Sequence, residues 1–185
     1  ELWEMLNDDN IIVQAQIAPA VRVALGDEFN FPYGTNVMGK IVAALRKLGF
    51  DEVYDTATGA DLTVIEEAAE FVERLKEGGK LPLFTSCCPA WVKYAETKHP
   101  ELMDNISSCK SPMEMFGSVL KEKARLDSEG QKNPKVVKNV AIMPCTAKKF
   151  EVKREEMKTN GEPTVDLAIT TQELASLIIE SGLKF

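Results

Sequence analysis

Apolar positions along the chain fall into short β-prone runs and longer helical ones, and the two kinds alternate. Residues 11–17, 52–55, 81–85, 136–143 and 165–170 predict strands. Residues 36–48, 62–76, 91–97, 112–125 and 171–181 predict helices, with Gly49 and Gly182 as C-terminal stops. Strands this apolar, each followed by a helix, predict an α/β fold with a mostly parallel sheet flanked by helices, because only a sheet covered on both faces needs such strands. On the 62–76 helix, Leu62, Ile65, Ala69 and Val72 form an apolar stripe expected to face the core. Glu67, Glu70 and Arg74, spaced i, i+3 and i+7, share a different side. The stretch 127–133, rich in Ser, Gly, Asn and charge, is expected to connect a helix to a strand, with a boundary between two lobes as the alternative. No repeat is visible at a solenoid period.

Composition narrows the class. At 185 residues, 44% apolar and 28% charged, the chain can bury one sizeable core or two small lobes and has no disorder-type tract. A net charge of -7 and a pI near 4.9 argue against a phosphate-backbone partner, so no nucleic acid is expected. The longest apolar run, 37–48, is broken by Gly39, Lys40 and Arg46, and no membrane span is expected. The start, Glu1-Leu2-Trp3-Glu4, carries no secretory signal and no initiating Met, which suggests a cut or processed chain. Four cysteines in an acidic sequence without a secretory signal point to metal or redox chemistry in a reducing compartment, with the cytoplasm as default.

Ligands in open α/β sheets collect where strands end and loops converge. Three loops are expected there: Ile17-Ala18-Pro19-Ala20, Thr85-Ser86-Cys87-Cys88-Pro89 and Met143-Pro144-Cys145-Thr146. Adjacent Cys87 and Cys88 are awkward as two ligands to one metal but workable if one binds metal and the other faces a substrate pocket. Cys145 adds a thiolate from a separate strand end. Such thiolates suit iron–sulfur clusters, which need four ligands, and the loops offer too few. No Cys-x-x-Cys pair exists, which argues against a self-contained zinc site. The competing reading of this spacing is that the cysteines are small buried apolar residues. For Glu70 and Arg74 it is an exposed i, i+4 ion pair of little energetic weight. His99 before Pro100 reads as a lone surface histidine. Met113, Met115 and Phe116 read as packing, and Lys149 with the charged run 153–158 as a solvated face.

Two of these segments are long and specific. Thr85-Ser86-Cys87-Cys88-Pro89-Ala90-Trp91 and Met143-Pro144-Cys145-Thr146-Ala147-Lys148-Lys149-Phe150-Glu151 resemble the first and second cluster-binding motifs of the iron-only (FeFe) hydrogenases. The resemblance extends through Gln16-Ile17-Ala18-Pro19-Ala20-Val21-Arg22, Ser111-Pro112 and Thr170-Thr171-Gln172-Glu173-Leu174-Ala175, and so covers essentially the whole chain. It implies that residues 1–185 are the N-terminal part of a two-lobed catalytic domain interconverting protons, electrons and dihydrogen. The implied cofactor, the H-cluster, is a 4Fe-4S cubane joined through a cysteine sulfur to a two-iron subsite carrying carbon monoxide, cyanide and a bridging dithiolate.

By motif position, Cys88 and Cys145 would be cubane ligands, and Cys87 the thiol passing protons to the two-iron subsite. Lys148 would donate to a cyanide, Met143 would pack against the subsite, and Ala18 and Pro19 would line its pocket. Glu67, Glu70, Arg74 and Ser107 fall where the resembled family places its proton relay. Cys109 lies where that family tolerates small residues and is expected to be structural. Ala90 stands where glycine is frequent and Met113 where glutamine is frequent. The third motif, with two further cysteines, does not occur before Phe185, so the chain by itself is expected to hold an incomplete cofactor or none. Implied partners are the remainder of the catalytic domain, an electron carrier such as ferredoxin or other subunits, and self-association of an exposed apolar face. An iron–sulfur assembly or scaffold protein, typically lacking the first cysteine of the pair, and a hydrogen sensor without turnover are the alternative readings.

Overall fold

The computed structural model describes residues 1–185. Helix α1 (Leu2–Leu6) precedes strand β1 (Ile11–Ile17), and helices α2 (Val21–Ala24) and α3 (Met38–Leu48) lead to β2 (Glu52–Asp55). Three helices, α4 (Ala57–Glu77), α5 (Pro89–Lys98) and α6 (Pro112–Ser128), then intervene before β3 (Val136–Met143). The chain closes with α7 (Lys148–Glu151), the small hairpin β4 (Lys158–Thr159) and β5 (Glu162–Pro163), then β6 (Leu167–Thr170) and α8 (Thr171–Glu180). Strands β2, β1, β3 and β6, in that spatial order, form one parallel sheet, so the predicted α/β architecture is the one observed. No helix is long and apolar enough to cross a membrane.

Local sequence explains the main elements. In α3 the apolar residues Ile41, Ala44, Leu45 and Leu48 recur at helical spacing and are buried, and Gly49 ends the helix at φ 104°. Helix α8 starts on a capping box formed by Thr170 and Glu173. Helix α6 starts on Ser111 with Pro112 in its first turn. The sheet alternates faces. Val13, Ala15 and Ile17 belong to the main buried cluster with Ile41, Leu45, Leu174 and Ile178. Gln14 and Gln16 point the other way, and Gln16 donates to the Met113 carbonyl of α6 and to Asn139.

Two expectations need correcting. Residues 81–85 are not a sheet strand: Phe84 makes one isolated bridge to Ile106, with Phe84 N–H donating to Asn105 O and Ser107 N–H to Phe84 O. The Cys87-Cys88 loop therefore reaches the site from the helical insertion rather than from the sheet. The helix predicted at 62–76 begins five residues earlier, and its predicted inner stripe is largely outside. Ile65, Ala69 and Val72 are exposed, together with Val64, Phe71 and Leu75. Its inner side carries Gly59, Thr63, Glu67, Glu70 and Arg74. Helix α6 runs through residues 127 and 128 of the expected connection, and the chain between α6 and β3 is 129–135.

Helices α4 and α6 cross closely because α4 presents a glycine there. A Cβ on Gly59 would lie 2.3 Å from Pro112 O and 2.7 Å from Phe116 Cβ. Gly59→Ala is expected to force the helices apart and cost about 1–3 kcal/mol, read from the urea unfolding midpoint.

Candidate functional site

The carboxyl ends of β1 and β3 lie side by side, and the Ala18 N–H donates to Ile142 O at 3.0 Å. This joins the Ala18-Pro19 turn to the segment that carries Met143 and Cys145. Ala18 and Met143 are buried, whereas Pro19 and Cys145 are exposed. Lys148, one turn beyond Cys145, makes the connection to the other cysteine loop. Its ammonium donates to the Cys87 carbonyl at 2.9 Å and to Glu151 Oε2 at 2.7 Å. Three segments far apart in sequence are thus fastened at one edge.

All four cysteines are free, and Cys87, Cys88 and Cys145 are exposed. Cys88 caps α5, accepting the Trp91 N–H on its sulfur at 3.4 Å, with Pro89 buried in the first turn. No group of three or more His, Cys, Asp or Glu side chains gathers into a metal site within the chain. The donor set fits part of a soft-metal cluster and cannot complete one alone.

Along the inner face of α4 a polar row leads away from this edge. Ser107 Oγ donates to Glu70 Oε2 at 2.7 Å, and the Ser108 N–H reaches the same carboxylate at 3.2 Å. Arg74 donates to Glu70 at 2.6 and 3.1 Å, and its remaining N–H groups go to the carbonyls of Lys80, Asp104 and Ile106. Burial acts to raise the Glu70 carboxyl, but the Ser107, Arg74 and Ser108 donors outweigh it and hold the group below the usual carboxylate range. Both partners of the Glu70–Arg74 pair are about 15% exposed, which removes the surface ion-pair reading. One turn earlier, Glu67 Oε1 is buried without a hydrogen-bond partner. Ser86, next to Cys87, ties in through Cys109: Ser86 Oγ donates to Cys109 O, and Cys109 N–H donates to Ser107 Oγ at 3.1 Å. A cavity of about 490 Å³ opens here, lined in part by Ser86, Ser107, Cys109, Lys110 and Glu151.

Two buried glutamates escaped the sequence reading. Glu151 is 2% exposed and holds Lys148. Glu114 is fully buried against Thr164, and its Oε1 has no partner. Thr164 Oγ1 also lies 2.9 Å from Met157 O, which can only accept. One hydroxyl hydrogen cannot serve both, so both contacts are satisfied together when Glu114 is protonated and donates to Thr164. Burial pushes the Glu114 carboxyl up to about 7, and the nearby Glu151 charge adds to that. The remaining features are mostly plain. His99 is partly exposed between Tyr94 and Glu101, and Met113 and Phe116 are packed core. Within the run 153–158, Arg154 departs from a solvated face, because it is largely buried in a pair with Glu96.

A family model described as "Iron only hydrogenase large subunit, C-terminal domain" matches residues 11–185. Iron hydrogenase 1 of Clostridium pasteurianum is 46% identical over 97% of this chain and 31% of its own length. The periplasmic Fe hydrogenase large subunit of Nitratidesulfovibrio vulgaris is 47% identical over 100% of this chain and 44% of its own. A protein named cytosolic iron-sulfur assembly component 3, from Bos taurus, is 32% identical over 95% of the chain. A solved apo FeFe-hydrogenase from Chlamydomonas reinhardtii superposes with a TM-score of 0.89 at 36% identity, covering 99% of this chain and 48% of that one. The chain therefore spans a third to a half of the relatives it matches.

Glu114 gives the site a pH signature. Its carboxyl is raised from an ordinary 4.5 to about 7, so between those values the folded state holds a proton that the unfolded state releases. Stability should fall as pH rises through that window, by about 3 kcal/mol. Glu114→Gln should lack this slope and be the more stable protein above pH 7, as measured by urea titrations at several pH values.

Proposed function

Since this chain belongs to the iron-only hydrogenase family, we propose that it forms part of a catalytic domain that interconverts protons, electrons and dihydrogen. Cys88 and Cys145 would each give one thiolate to a 4Fe-4S cubane, the remaining ligands coming from outside this sequence. When bound, the cubane and its two-iron subsite supply the electron transfer and the hydrogen–hydrogen bond chemistry. The protein has to deliver protons, order the pocket and exclude bulk water.

Proton delivery is assigned to Cys87, Glu67, Ser107, Glu70 and Arg74. The Cys87 thiol carries an exchangeable proton on Sγ at the mouth of the site. The orphaned Glu67 oxygen has an acceptor position free for a proton or a water. Ser107 both donates and accepts, so it can pass a proton while its oxygen stays in place. Glu70, ionised and held by Arg74, is a fixed acceptor at the outer end. Lys148 has committed two of its three N–H donors, which leaves one for a cyanide ligand. Met143, Ala18 and Pro19 would wall the subsite against water.

The observation that carries this reading is the orientation of α4. It turns two glutamates and an arginine inward while Val64, Ile65, Phe71, Val72 and Leu75 face out. Such an arrangement disfavours folding on its own and gains a reason if the inner face conducts protons. The outer face would then be covered by the rest of the parent catalytic domain. An electron carrier such as ferredoxin, or other subunits, would serve the assembled enzyme. Free thiols at the site suit a reducing compartment such as the cytoplasm, although the N. vulgaris relative is named as periplasmic, so the family does not fix the compartment.

In the parent enzyme, Cys87→Ala should lower hydrogen evolution and uptake by about 10²–10⁴-fold, the usual contribution of a positioned proton donor, while the cluster spectrum persists. Unchanged turnover would remove Cys87 from the proton path, and a parent protein with no hydrogen turnover at all would favour the iron–sulfur assembly reading. For the chain by itself, sedimentation should show self-association, and Phe71→Lys with Leu75→Lys should return it to monomer. A monomeric starting protein would remove the covered-face argument.

A further inference from the structure

Lys148 spans the two cysteine loops, and what fixes its ammonium lies behind it rather than at the site. The Lys148 side chain is 13% exposed and that of Glu151 is 2% exposed, with Nζ and Oε2 2.7 Å apart. The second Lys148 donor goes to the Cys87 carbonyl, across 61 residues of sequence. Glu151 lies on the same single-turn helix as Lys148, whose N-terminus follows the Cys145 turn. Glu151 therefore belongs to the Cys145 side of the joint, and through Lys148 it sets where the Cys87 side is held.

A second carboxylate beside a buried ion pair is disfavoured in its charged form by burial and by the like charge. Glu114 is the neighbouring carboxyl, and the single Thr164 hydroxyl that also lies against Met157 O serves both contacts when Glu114 is protonated and donates. Lys110 also lines this cavity with Glu151. Protonated Glu114 leaves Glu151 as the sole countercharge in contact with Lys148.

We propose that Glu151 is the positioning residue for Lys148, and that Glu114 acts as a neutral wall that leaves the Lys148–Glu151 pair balanced. Together they hold the Cys87-Cys88 loop in register with Cys145 and direct the one uncommitted Lys148 N–H to an acceptor ligand. The ligand part rests on the hydrogenase reading. The joint itself does not.

Competitive acetylation with acetic anhydride at pH 6, where Glu114 still holds its proton, resolved by peptide mass spectrometry, reads the joint in the chain as it stands. Lys148 should label slowly relative to Lys149. Loss of a charge-assisted bond in Glu151→Gln should raise its labelling by roughly tenfold or more. Glu151→Asp should recover part of the protection, and Glu114→Gln, an uncharged isostere, should leave it unchanged. No rise at Lys148 in Glu151→Gln, or an equal rise at every lysine from general loosening, would overturn the positioning role. A rise in Glu114→Gln would overturn the neutral wall. In the parent enzyme, Glu151→Gln should shift the infrared bands of iron-bound cyanide. Protected Lys148 in an enzyme with no cyanide bands at all would leave the joint standing and sink the hydrogenase reading instead.

Discussion

The organisation of this site depends on how Arg74 spends its hydrogens. A guanidinium offers five N–H donors in a rigid fork. Here two go to Glu70 and three to the carbonyls of Lys80, Asp104 and Ile106. That set ties the last turns of α4 to the segment after it and to the short 3₁₀ turn Pro100–Asn105. It also determines which way the helix faces. With Arg74 saturated from inside, Glu70 must lie inside too, and Glu67 follows one turn earlier. The apolar residues are left to the outside by geometry. Breaking such a pair from one side would leave a buried charge uncompensated, which costs far more than the pair contributes when intact.

A second constraint is the joint at Lys148. Parallel strands β1 and β3 bring two turns together through ordinary sheet hydrogen bonding, as the Ala18–Ile142 contact shows. The Cys87-Cys88 turn has no place in that ladder, because it comes from a helical excursion between β2 and β3. It is brought in by side chains instead, with Lys148 on one flank and the Ser86–Cys109 contact on the other. Half of the site is thus held by the sheet and half by a few polar contacts. Such a division lets the second half adjust while the first stays rigid.

The sheet was legible from sequence because its strands are short runs rich in β-prone apolar residues, and β1, β2 and β3 begin and end where the pattern places them. Residues 81–85 misled because Leu81, Leu83 and Phe84 have strand-like composition, yet Pro82 interrupts them and only Phe84 finds a bridge partner. The face of α4 misled for a different reason. Periodicity locates an apolar stripe but assumes that the opposite side meets water, and here the opposite side meets Ser107 and three carbonyls. The cysteine loops, Lys148 and the α4 row could be named from motifs. Glu114 could not: as the third residue after Ser111 it reads as half of a capping box, and its backbone N–H does donate to the capping Ser111 Oγ at 3.4 Å. Its carboxyl goes instead to Thr164, fifty residues on, a partner that no local pattern announces.

Cys88 occupies an unusual place, since its sulfur opens helix α5 in the position where a serine or aspartate oxygen commonly sits. Sulfur is a poor acceptor as a thiol and a much better one when charged. The firmness of the first helical turn is therefore coupled to the electronic state of that atom. Any event that draws electron density off the sulfur loosens the turn, and any event that returns it tightens the turn, so Trp91 and the aromatic contacts it makes with Phe84 and Tyr94 sit where they can register the change.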